Sequence, residues 1–194
     1  MDQRRKLPIG IQTLRDIRDG GYYYVDKTPL VAQLANSGKY YFLSRPRRFG
    51  KSLLIDTIAA AFAGQRTLFE GGAAAVALGV DAAAAQRPRL FLADHWDWGR
   101  RHPVIRLSFA EGRLQQADKL DAHIHHQLSA NARTLGIELP DAGHDPHIRF
   151  HELITRAAEA HGQQAVVLVD EYDKPILDNL EAPEVARAMR EGLR

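Results

Sequence analysis

Gly50, Lys51 and Ser52 stand in a row within YYFLSRPRRFGKSLL, residues 40–54. They bring a turn residue, an ammonium and a hydroxyl to the start of a helical pattern. A helix N-terminus offers unpaired N–H groups and the positive end of the macrodipole, and both attract anions. A lysine at that point can reach phosphate oxygens, and the hydroxyl after it suits a Mg²⁺ shell. Such loops ordinarily begin with a further glycine that lets the backbone turn tightly out of a strand. Here Arg45 holds that place and Pro46 follows, so the turn must use another conformation. Arg47 and Arg48 add two guanidiniums beside the same spot. Phe49 and Leu53 complete the candidate nucleotide-binding stretch.

A second constellation lies far along the chain. Val166 to Val169 form an apolar run that leads straight into Asp170-Glu171. An aspartate at the end of a buried strand can hold Mg²⁺. A glutamate beside it can orient and deprotonate an attacking water. An acidic strand end can also simply cap a helix, but the combination with Gly-Lys-Ser favours the catalytic alternative.

Other groups carry less. His144, His147 and His151 could offer imidazoles to zinc from one helix, yet no third ligand follows at a natural position. His123, His125 and His126 fare no better. Asp94-His95-Trp96-Asp97-Trp98 could be an aromatic platform for nucleic acid, but the indoles are better read as anchors of the connection into the next strand. Arg100-Arg101 is too short a run to mark a DNA surface.

The elements that must position these residues follow from periodicity and breakers. Residues 22–25 and 40–43 read as short strands. Thr28-Pro29 opens a helix that Gly38 stops, and another runs from about Lys51 to Ala63. Residues 71–93 are alanine-rich and read either as short helices or as a loose insertion. Val104 to Phe109 read as a buried strand, Gln115 to Leu135 as a polar helix, and Asp145 to His161 as a helix ended by Gly162. A strand over 164–169 and a helix within APEVARAMREGLR complete the series. Strands alternating with helices give an α/β class with a parallel sheet.

Composition bounds the rest. With 194 residues, 45% of them hydrophobic, one ordinary core and a single domain are expected. The formal charge is +2, and although arginine outnumbers lysine 20 to 6 the excess is spread out, so little points to nucleic acid. The absence of cysteine excludes disulfides and thiolate metal sites and fits a reducing compartment. MDQRRKLPIG has no apolar segment behind its basic residues, and no stretch approaches 18 apolar residues, so neither a secretory signal nor a membrane span is expected. The expectation is a soluble, cytoplasmic protein.

PIGI (8–11), YYYVDKT (22–28), SRPRRFGKS (44–52), HPVIRLSF (102–109) and VLVDEYDKPI (167–176) together resemble the AAA-ATPase-like family. The resemblance spans nearly the whole chain and includes arginine in place of the first glycine of the loop. It implies a P-loop NTPase three-layer fold, ATP and Mg²⁺ as ligands, and ATP hydrolysis. The Walker A role falls to the 44–52 loop and the Walker B role to the 166–171 strand end. Lys51 and Glu171 would be catalytic, and Ser52 and Asp170 would meet the metal. The family often continues into a PD-(D/E)XK nuclease-like domain, through which nucleic acid becomes a further partner. Asp26 and Lys27 lie in a matched motif; a solvated turn and a functional contact both remain open for them.

The family's sheet order, 5-1-4-3-2, calls for strands after Glu171 that the remaining 23 residues do not supply. The chain therefore reads as the front of one domain, incomplete at its C-terminus and prone to self-association. Two other functions remain open: a nucleotide-sensing module without turnover, and a non-catalytic DNA- or protein-interaction fragment.

Overall fold

A computed structural model describes residues 5–46, 48–79, 87–110, 116–139 and 145–193. They form two compact units, Met1–Arg101 and His102–Arg194.

The first unit contains helices α1 (Leu14–Asp19), α2 (Thr28–Ser37), α3 (Lys51–Phe62) and α4 (Gly72–Ala77), with 3-10 turns at Arg66–Leu68 and Phe91–Ala93. Thr13 caps α1 by accepting from the Asp16 N–H, and Asp56 of α3 accepts from the Leu14 N–H at 2.7 Å. One carboxylate on α3 thereby fixes where α1 begins. The inner face of α3 carries Ala60 and Ala61, whose small side chains let it approach Leu14, Val31, Leu68, Phe69 and Leu92 in one core. Trp96 meets Phe62 edge-on at 4.9 Å and Trp98 packs on Phe69 at 5.0 Å. The Trp98 indole donates to the Ala93 carbonyl at 3.1 Å. Both indoles are thus packed and half-buried anchors.

Arginines tie the loops of this unit together. Arg18 is buried and donates to the carbonyls of Leu68 (2.7 Å), Glu70 (2.8 Å) and Pro88 (2.8 Å). Burial, with Arg87 nearby, lowers its pKa to about 10. The Glu70 carboxylate is itself fully buried and is paired with Arg66 and Arg89, each at 2.9 Å. A buried carboxylate is tolerable only with such partners. The alanine run at 82–85 lies outside the described residues.

Two expected strands in this unit are corrected. Residues 22–25 and 40–43 are irregular, with no sheet partner among the described residues. A strand is defined by backbone pairing, and an apolar run without a neighbour to pair with does not become one. Tyr40 and Phe42 are accordingly 94% and 73% exposed.

The second unit contains β1 (Val104–Ser108), α5 (Ala117–Leu135), α6 (Pro146–His161), β2 (Val166–Asp170), α7 (Lys174–Leu177) and α8 (Pro183–Gly192). β1 and β2 pair in parallel, Val104 opposite Val166 and Ser108 opposite Asp170. Asp145 caps α6 through the His147 N–H, with Pro146 at the first helical position, and Gly162 ends it in the left-handed region at φ 61°. Ile105, Leu107, Leu120, Leu128, Leu153 and Met189 gather β1, α5, α6 and α8 into one core. Each of these aliphatic side chains stabilises the unit by about 1.5–3 kcal/mol when fully buried. The molecule is therefore an α/β protein with a small parallel sheet.

The outer edge of β1 is closed by side chains. Asn131 accepts from the Arg106 N–H and donates to the Arg106 carbonyl, both at 2.8 Å. Gln127 accepts from the Ser108 N–H at 2.6 Å, and the His123 ring bonds to the Ser108 carbonyl at 3.0 Å. Spaced four residues apart on α5, the three side chains take the place of a neighbouring strand. No helix among the described residues is long and apolar enough to cross a membrane.

Candidate functional site

Gly50 is the N-cap of α3 and sits in the left-handed region at φ 74°. A side chain there would be strained, which is the local reason for glycine before Lys51. No side chain caps α3, and its first turn carries no acidic residue. The first N–H groups are thus left for an anion. Lys51 folds back over the turn, its Nζ donating to the Arg45 carbonyl at 2.8 Å. The Ser52 hydroxyl is half-buried and has no hydrogen-bond partner among the described residues. Phe49 is exposed, whereas Leu53 turns inward onto the first unit's core. Arg48 is exposed, and Arg47 lies outside the described residues.

Asp170 ends β2 and its carbonyl accepts from the Phe109 N–H at 3.1 Å. Its carboxylate has no partner among the described residues. Glu171 follows at φ 53°, and its carbonyl accepts from the Lys174 N–H as α7 begins. Among the described residues, Arg48 and Glu171 alone combine a side chain with positive φ. Such conformations cost about 1–3 kcal/mol and persist where the surroundings impose them, often at functional positions. Both fall inside the motifs singled out by chemistry.

The spacing of residues 26–28 gave no hint of what the structure does with them. Asp26 accepts from the Thr28 N–H at 2.8 Å and from the Phe91 N–H at 2.7 Å. Thr28 does not cap its helix; its buried hydroxyl accepts from the Leu92 N–H at 3.2 Å. These bonds pin the start of α2 to the 91–92 turn. Tyr24, just before them, reaches the Thr57 hydroxyl of α3 at 3.4 Å, and burial raises its pKa. On the histidines, His144 lies outside the described residues. Among the described residues no three His, Asp or Glu side chains gather as a metal group.

A family model described as predicted AAA-ATPase matches residues 8–194. The chain belongs to the AAA-ATPase-like family. This AAA-ATPase-like chain is also 50% identical over 192 residues to an uncharacterized protein in the vnfD 5′ region of Azotobacter chroococcum mcd 1. The match covers 98% of the chain and 33% of the relative, so the chain spans about a third of that protein's length. No solved structure matches it.

Proposed function

We propose that this AAA-ATPase-like chain binds ATP with Mg²⁺ through the Gly50–Ser52 turn and serves ATP hydrolysis, within a P-loop type of fold. The observation that carries this reading is the uncapped N-terminus of α3, entered through a left-handed glycine and followed at once by a lysine and a hydroxyl that no described residue engages. Backbone N–H groups, an ammonium and two arginines match the charge and the many acceptor oxygens of a triphosphate. Lys51, now on a carbonyl, would exchange that neutral acceptor for phosphate oxygens. Phe49 and Leu53 flank the turn and contribute backbone to it.

Mg²⁺ supplies positive charge against the phosphates. As the family resemblance implies, the Ser52 hydroxyl and the Asp170 carboxylate would each supply an oxygen ligand to this hard cation; neither is engaged by a described residue. Glu171 is the base in this reading, accepting a proton from the attacking water. The activity of the longer proteins to which the chain is related, and any nucleic-acid partner supplied by a nuclease-like domain, are part of the same proposal.

Lys51→Ala tests it by isothermal titration with ATP and Mg²⁺. Charge-assisted hydrogen bonds contribute about 1.5–3 kcal/mol, so affinity should fall about 10- to 150-fold. A folded Lys51→Ala chain with unchanged ATP affinity would sink the reading.

A further inference from the structure

We propose that Lys27 is a second cationic contact for the phosphates of a nucleotide held at the Gly50–Ser52 turn, a role that rests on reading that turn as a nucleotide site. Lys27 is distant in sequence from the turn, yet a β-carbon built on Gly50 would lie 3.9 Å from the Lys27 Nζ. The ammonium therefore stands over the one backbone position of the turn that has no side chain in the way. It is exposed and has no hydrogen bond or ion pair with a described residue.

Its neighbours account for its placement. Asp26 does not serve as its counterion: the two carboxylate oxygens are engaged by the N–H groups of Thr28 and Phe91. With the Thr28–Leu92 bond, they fix the backbone on both sides of Lys27. A lysine loses much rotamer freedom when it grips a ligand, and a fixed stem base lowers that cost. Lys51 and Lys27 also differ in state, since Lys51 already donates to the Arg45 carbonyl while Lys27 has nothing to give up. Uncompensated positive charge beside a helix N-terminus is unfavourable by itself, because the macrodipole is positive there. An anion between the ammonium and the first turn of α3 removes that conflict. Within Asp26-Lys27-Thr28, the outer residues are thus structural and the middle one meets the ligand.

The test titrates the chain with Mg²⁺-ATP and, separately, with inorganic tripolyphosphate, a probe with no base or sugar. Lys27→Met keeps the stem and removes the charge; Lys27→Arg keeps the charge; Lys51→Ala is the control for the turn itself. The expected loss for Lys27→Met is about 5- to 12-fold on both probes, between an exposed ion pair and a charge-assisted hydrogen bond. Lys27→Arg should stay within about twofold of the original chain, as an ion-pair contact that tolerates either cation. Wild-type affinity in Lys27→Met beside a weakened Lys51→Ala overturns the role of Lys27 and leaves the turn as a nucleotide site. Wild-type affinity in both variants overturns the nucleotide reading and this inference with it. A loss on ATP without one on tripolyphosphate overturns the phosphate contact. So does a Lys27→Met chain whose ligand-free melting midpoint has dropped, because the effect is then structural.

Discussion

Glu171 carries two facts that pull in different directions. Its backbone at φ 53° would suit glycine or asparagine better, and its side chain is the kind that activates water. A residue held in an unfavourable conformation at a strand end is a candidate for function, since a merely structural turn could use glycine there at lower cost. Glu171→Gln separates the possibilities, because glutamine keeps the shape and the strain and loses the basic oxygen. ATP affinity should be unchanged, while turnover should fall by about 10²–10⁴, the usual scale for a general base. Phosphate release from ATP with Mg²⁺ is the measurement. Equal rates for the glutamate and glutamine forms would give Glu171 a structural role. At this scale much of the candidate site is legible in the sequence. Gly50, Lys51, Ser52, Asp170 and Glu171 stand out because their chemistry is local: adjacent residue types at the boundary of an apolar or helical pattern. Asp26, Lys27 and Thr28 do not, because their meaning comes from Phe91, Leu92 and Gly50, which are distant in sequence.

Among the elements, the closure of β1 by α5 has a measurable consequence. An open sheet edge is a template for pairing with other chains, and helices or polar side chains are common ways to cover it. Asn131 satisfies both backbone groups of Arg106 while also donating to the Gln127 carbonyl of its own helix. Asn131→Ala should lower stability by about 0.5–1.5 kcal/mol, the net worth of a hydrogen bond, because water can replace part of what is lost at this exposed edge. Removing Gln127 as well should cost more than the sum of two surface changes, since the Ser108 N–H is half-buried. Urea unfolding of the single and double variants reads both effects. Additive losses no larger than those of ordinary surface substitutions, about 0.5 kcal/mol each, would show that water does the same work as the side chains. Position in the sequence explains which elements could be foreseen. β1, β2, α3, α5, α6 and α8 announce themselves through apolar runs, helical spacing, proline and glycine. α1 has only six residues, too few for a periodic signal, and its start depends on Asp56 from another helix. The four-residue spacing of His123, Gln127 and Asn131 was visible, but it reads as a solvated helix face until β1 is laid beside it. Residues 40–43 failed as a strand for the converse reason: their composition is right and the partner is missing among the described residues.

For the molecule as a whole, the important surfaces are apolar ones left uncovered. Tyr40 (94% exposed), Phe42 (73%) and Phe49 (61%) flank the candidate phosphate turn. On β2, Val167 and Val169 remain 36% and 41% exposed, at the alternate positions whose backbone groups face away from β1. One edge of the sheet is thus sealed by α5, and no described strand pairs with the other. Monomeric soluble proteins seldom leave both an apolar strip and a strand edge open, because each favours association. The relative that is 50% identical has about three times the length of this chain. Residues 1–194 alone should accordingly self-associate as concentration rises in sedimentation velocity. Two variants probe the separate sources. Tyr40→Ser with Phe42→Ser should reduce association by removing apolar area. Val169→Lys should reduce it independently, since a lysine on an edge strand opposes pairing with a second copy. If the apolar strip is the cause, the first variant sediments as monomer where the original chain does not. If the strand edge is the cause, the second does. A chain that remains a monomer over the whole concentration range would mean that neither surface is a site of association.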